Sequence, residues 1–209
     1  MRSLSLLLIA LYLVISLNGG VEGNLWCYDE AGLSLDGMTQ RRVGQLASYG
    51  FLHGNWFHVM VNSVMLFLLG DRLQSLIGWR KSMVVTLAAV VLGGAIHLLL
   101  CLILNVPAQA LLVGVSGGVM GVLLCLTTLH PYRVLWPLRL QARHLGNGFM
   151  ISSMALILIM PDLGIPGLSQ CGAFLVELFG NEVFQASHAC HLGGGIAGVL
   201  AAKYWIRNS

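Results

Sequence analysis

The chain has 209 residues, 57% of them hydrophobic and 9% charged, with a formal net charge of +3 and a mean hydropathy of +0.82. Soluble domains use nearer half apolar and a quarter charged residues, so this composition excludes an ordinary soluble enzyme and reads as a polytopic all-α membrane protein. The basic residues have a use in fixing topology, nothing in their distribution points to nucleic acid, and an odd count of 5 cysteines without CxxC spacing argues against a disulfide scaffold.

A hydrocarbon core about 30 Å thick takes roughly 20 apolar residues per helix, which leaves room for about six spans in one membrane domain covering 1–209. The first apolar run, Leu4 to Leu17, is read as a retained span. A cleaved signal peptide with Arg2 at its positive end is the alternative, but Ser16-Leu17-Asn18-Gly19-Gly20 makes a poor cleavage site. A long outer loop follows over 18–53, polar and glycine-containing from Glu22 to Gly50 and too irregular to span. Further helices are expected over Gly54 to Gly70, Ser82 to Leu104, Ala110 to Leu129 and Gly148 to Met160. The stretch 161–187 mixes Pro, Gly and acids with Phe174, Leu175, Val176, Leu178 and Phe179, and reads equally as a partly amphipathic cap at the membrane surface or as an ordinary connecting loop. The last helix is expected over His188 to Ile206.

Arg2, Arg72, Arg80, Lys81, Arg133, Arg139, Arg143, Lys203 and Arg207, nearly all of the 11 basic residues, lie on one side of this topology. Of the 8 acids only Asp71 joins them. The positive-inside rule makes that side cytoplasmic, so both termini face in, as in a multi-pass protein of a bacterial inner membrane. Cys27 and Cys171 share the opposite side and could pair.

Four polar side chains then fall at one depth. His58 and Asn62 sit about one and two turns into the second helix, Ser116 about two turns into the fourth and His191 about one turn into the sixth, a layer roughly 5 to 12 Å below the outer surface. His58 and Asn62, four residues apart, stack on one helical face. A serine hydroxyl is a weak nucleophile until a neutral imidazole takes its proton, which assigns Ser116 as nucleophile and His191 as base. No acid lies at this depth, so the pair is a dyad, and the Ser116 backbone N–H with His58 and Asn62 can stabilise an oxyanion. Gly117 to Gly121 and Gly194 to Gly198 are small-xxx-small pairs that bring the fourth and sixth helices close enough for the dyad to meet.

Other readings compete residue by residue. A lone membrane serine usually bonds its own i−4 carbonyl, and His97, without polar company in the sequence, reads as structural. Gly114-Val115-Ser116-Gly117-Gly118 fits the GxSxG elbow of soluble hydrolases, but that motif needs a preceding strand. His188, Cys190 and His191 could ligate a metal, and histidines on two helices could hold a haem, yet neither explains the Ser–Gly neighbourhood. The reading therefore includes no cofactor and no metal.

The same motifs resemble the rhomboid intramembrane serine proteases from Gly44 to about Ala202. GxSG matches Gly114-Val115-Ser116-Gly117, HxxxN matches His58 to Asn62, and HxxGxxxG matches His191 to Gly198; Phe51-Leu52-His53-Gly54, Gly70 and Gly78 also fit. The resemblance implies a six-transmembrane-helix rhomboid-like bundle, Ser116 and His191 as the catalytic pair, and an oxyanion and substrate-binding set of His58, Asn62, Gly114 and Gly117. It implies single-span transmembrane substrates cut near the outer face, with a catalytically inactive client-binding relative as the alternative. Departures from the family pattern are Gly44-Gln45 in place of a Trp-Arg or Trp-Gln pair, Met120 in place of an aromatic, Gln74 in place of Glu, and Cys190 in place of a small residue.

Overall fold

A computed structural model describes residues 1–135, 139–180, 182–185 and 187–208. Six principal helices account for the expected apolar runs: α1 (Arg2–Leu17), α2 (Trp56–Ile77), α3 (Trp79–Leu104), α4 (Ser116–Leu129), α5 (Ala142–Leu158) and α6 (His188–Arg207). Local chemistry sets their ends. Asn55 caps α2 by accepting the His58 N–H on Oδ1 at 2.8 Å, and Gly78, at φ +82°, breaks α2 from α3 in a conformation that favours glycine. Asn105 ends α3 in the left-handed region at φ 51°.

The centre of the bundle is α3, α4 and α6, the three most closely packed helices. Glycine makes this possible. A Cβ on Gly194 would fall on the Gly117 carbonyl, one on Gly198 on the Gly121 carbonyl, and one on Gly121 on the Ala89 side chain, so no larger residue fits at the α4–α6 crossing. Val119, Val122 and Cys125 of α4 join Val85 and Val90 of α3 and Cys190 and Ala202 of α6 in one buried core. On the flank, α1 packs along α2 with Leu8 buried, and Arg2 pairs with Asp71 at 2.7 Å.

Among the described residues, α3 is the one unbroken helix long and apolar enough to cross a membrane, with 26 residues and hydropathy 2.7. Helix 45–51 and α2 pass the same test jointly, but across a bend of 100°. Of the other principal helices, α1 and α4 are apolar but only 16 and 14 residues long, whereas α6, at 20 residues, falls short in hydropathy. A helix surrounded by protein need not be apolar on every face, and backbone at membrane depth can leave helical geometry where protein encloses it. Outward, Leu6, Leu13, Phe67, Leu99 and Ile103 are exposed, as suits an apolar solvent.

Two expectations change. Residues 110–115 do not extend the fourth helix; Leu112 bridges Leu33 through a pair of backbone hydrogen bonds of 2.8 and 3.0 Å, and the chain turns at Gly114 and Val115. The long first loop is less irregular than its composition suggests, folding into short helices at Gly20–Gly23, Leu25–Ala31, Leu35–Thr39 and Gln45–Ser48. Gln45, at the departure from the Trp-Arg pattern, anchors this loop: it is 1% exposed, accepts the Ser34 N–H on Oε1 and donates from Nε2 to the Asp29 carbonyl at 2.8 Å. The cap stretch, described except at 181 and 186, contains the helix Leu168–Phe179, whose one buried residue is Gly172 and which exposes Phe174, Leu178 and Phe179. Cys27 and Cys171 are free thiols.

Candidate active site

Ser116 Oγ and His191 Nε2 lie 2.9 Å apart, within hydrogen-bond reach across α4 and α6. His191 sits one turn into α6, as its spacing predicts. Ser116 does not sit two turns into α4 but is its first residue. The reason lies upstream, where the Leu112–Leu33 bridge and a 2.9 Å bond from Gly114 N–H to the Tyr49 carbonyl hold the chain extended against the first loop. Gly114, at φ +109°, then turns it into the helix. The shift has a chemical consequence. As first residue, Ser116 carries a backbone N–H that the helix itself leaves unused, at the positive end of the helix dipole.

His58 and Asn62 project from α2 toward this turn. A Cβ on Gly114 would lie 2.6 Å from the His58 Nε2 and Cε1 atoms and 3.5 Å from Asn62 Nδ2, so the absence of a side chain brings backbone, imidazole and amide together. Asn62 is 4% exposed, and its Nδ2 is buried with no hydrogen-bond partner among the described residues. A buried amide donor without an acceptor is costly, and it suits a site whose acceptor arrives with a ligand. These groups open onto a cavity of about 600 Å³ whose lining includes Gly54, His58, Asn62, Ser116, Met120 and His191. Met120 therefore borders the same space as the dyad.

Gly117 follows Ser116 in the first turn of α4. A Cβ there would come 2.7 Å from Cys190 Sγ, so this residue serves the α4–α6 packing, as Gly121, Gly194 and Gly198 do. The three residues weighed as metal ligands each have another partner: Cys190 Sγ meets Tyr49 Oη at 3.3 Å, His188 Nε2 meets the Val183 carbonyl at 2.7 Å, and His191 faces Ser116. Among the described side chains no carboxylate hydrogen-bonds His191.

Three supporting residues escape a reading by spacing alone. His53, from the Phe51-Leu52-His53-Gly54 stretch, is 1% exposed and stands edge-on to His58 with ring centroids 5.0 Å apart. Tyr49 is fully buried, donating to the Val90 carbonyl at 2.7 Å while its own carbonyl holds Gly114. Ser187 caps α6 by accepting the Cys190 N–H at 3.2 Å. Each comes from a loop or a helix start, where no periodicity marks it; only the Ser-x-x-Cys approach to His191 resembles a cap signal.

The Rhomboid domain family model matches residues 40–208, which contain every residue of this site. No curated protein matches the chain. With the family's motifs gathered on one face of a helical membrane bundle and its model covering most of the sequence, the chain belongs to the rhomboid family of integral membrane proteins.

Proposed function

We propose that the protein is an intramembrane serine endopeptidase that cleaves single-span transmembrane proteins through a Ser116–His191 dyad. The 2.9 Å contact between hydroxyl and imidazole carries this reading, because two helices separated widely in sequence have no packing need to present that pair to one cavity. His191 Nε2 takes the Ser116 proton as Oγ attacks the scissile carbonyl, then returns it to the departing amine. The oxyanion is stabilised by the Ser116 N–H, Asn62 Nδ2 and His58, donors already in place before charge develops. Water then hydrolyses the acyl-enzyme with His191 again as base.

A helical substrate hides its carbonyls in hydrogen bonds, so cleavage requires a segment that unwinds locally. The reading places the site beneath the outer face of a bacterial inner membrane, with both termini cytoplasmic on the positive-inside distribution. The cap helix Leu168–Phe179, with its apolar residues exposed, is assigned to gating entry alongside α5.

The test is a panel of single-span substrates in liposomes with matched fluorophosphonate labelling. Wild type should cleave and label; Ser116→Ala and His191→Ala should each lose at least about 10³-fold in kcat. Labelling that persists in Ser116→Ala would remove the nucleophile assignment. Client binding without cleavage or labelling by the wild type would identify an inactive relative.

A further inference from the structure

We infer that His97, on α3, is a positioning residue that holds the first turn of α6, and with it His191, in register with Ser116. The inference rests on the dyad reading above. In the sequence His97 stands alone; in the fold both of its ring nitrogens have partners. Nδ1 lies 2.7 Å from Ser187 Oγ, and Nε2 lies 3.3 Å from Cys101 Sγ, one turn further along the same helix.

Ser187 does two things for the catalytic helix. Its hydroxyl accepts the Cys190 N–H at 3.2 Å, and its backbone carbonyl accepts the His191 N–H at 3.0 Å. The residue bonded to His97 is thus the one that closes the turn carrying the catalytic base. A consistent proton arrangement exists: the Ser187 O–H donates to Nδ1, Nε2–H donates to the Cys101 sulfur, and the hydroxyl oxygen stays free to accept from Cys190.

Packing alone does not perform this task. One turn earlier on α3, a Cβ on Gly93 would lie 2.7 Å from the Cys190 carbonyl, so the two helices touch there without a polar bond. That contact fixes their separation, and Tyr49 Oη meets Cys190 Sγ at 3.3 Å from the first-loop side, but neither contact reaches the Ser187 cap. The His97–Ser187 bond supplies the missing constraint across the helix pair. Ser187 also lines the cavity of the dyad, so slack in this turn translates directly into slack at His191. A displacement well under a hydrogen-bond length is enough to slow a reaction that depends on a 2.9 Å approach.

The experiment compares His97→Ala, His97→Asn, His97→Gln, Ser187→Ala and Ser187→Thr with Ser116→Ala in the full chain in liposomes. It reads kcat, KM and the rate of fluorophosphonate labelling. His97→Ala and Ser187→Ala should each lower kcat and labelling about tenfold with KM nearly unchanged. Their combination should cost no more than either alone, since they break one chain of bonds. His97→Asn, whose amide reaches the Nδ1 position, should restore most of the rate; His97→Gln, which reaches toward Cys101, should not. Ser187→Thr should restore what Ser187→Ala loses, a comparison that holds even if His97→Ala fails to fold. Unchanged kcat in His97→Ala, additive losses, or equal rescue by Asn and Gln would overturn the role of His97 while leaving the dyad intact. Undiminished cleavage by Ser116→Ala would instead remove the dyad on which it stands.

Discussion

At the scale of single residues, the site depends on where Ser116 stands in its helix. Inside a helix its backbone N–H would be consumed by the carbonyl four residues earlier; as the first residue it is free to face substrate. Asn62 Nδ2 is a buried donor of the site without a partner among the described residues, and the proposed mechanism gives it one in the transition state. Asn62→Ala should therefore lower kcat about 10²-fold or more while leaving KM and the melting temperature little changed. A variant that loses stability but not kcat would mark Asn62 as a packing residue. Gly114 is constrained twice, by φ +109° and by the His58 ring 2.6 Å from any added Cβ. Gly114→Ala should abolish fluorophosphonate labelling even in protein that still elutes as a folded species.

At the scale of elements, the α4–α6 crossing and the first loop do different work. The crossing brings backbone against backbone at Gly117–Gly194 and Gly121–Gly198, so added volume has nowhere to go. Overpacking in a tight core costs about 1–3 kcal/mol, and here it also separates the dyad. Gly198→Val should thus lower thermal stability and, in whatever folded fraction remains, labelling at Ser116. The first loop acts at one remove, through the Leu33–Leu112 bridge and the Tyr49–Gly114 bond. Gln45 anchors that loop from within, and Gln45→Ala leaves the Ser34 N–H without its partner and the Asp29 carbonyl with Arg42 alone, at a cost of about 1–3 kcal/mol. Faster hydrogen exchange over residues 25–50, with a modest fall in kcat, is the expected outcome; exchange equal to wild type would show that the loop is held by other means.

Whole-molecule properties follow from which faces meet lipid. The exposed leucines and phenylalanines form the outer surface, while the less apolar helices stand inside or beside protein. The proposed orientation makes a direct prediction for Cys171, an exposed free thiol on the cap helix. An impermeant maleimide should label it in intact cells from the outer side, and buried Cys125 should stay unlabelled until denaturation. Labelling of Cys171 only after the inner face is opened would invert the topology.

The sequence by itself determined the membrane solvent, the principal apolar runs, the glycine spacing of the central helices and the residue types able to perform acyl transfer. Those properties are local: hydropathy, a period of 3.6 and a four-residue repeat are all written within one stretch of chain. Tertiary structure alone decided that residues 110–115 leave the helix to bridge the first loop, that Gln45 holds that loop to itself, and that His97 meets Ser187 across 90 residues. Each depends on a hydrogen bond whose partner lies far along the chain. Such a bond has no period and no neighbouring signal, because its energy exists only once packing has brought the two ends together.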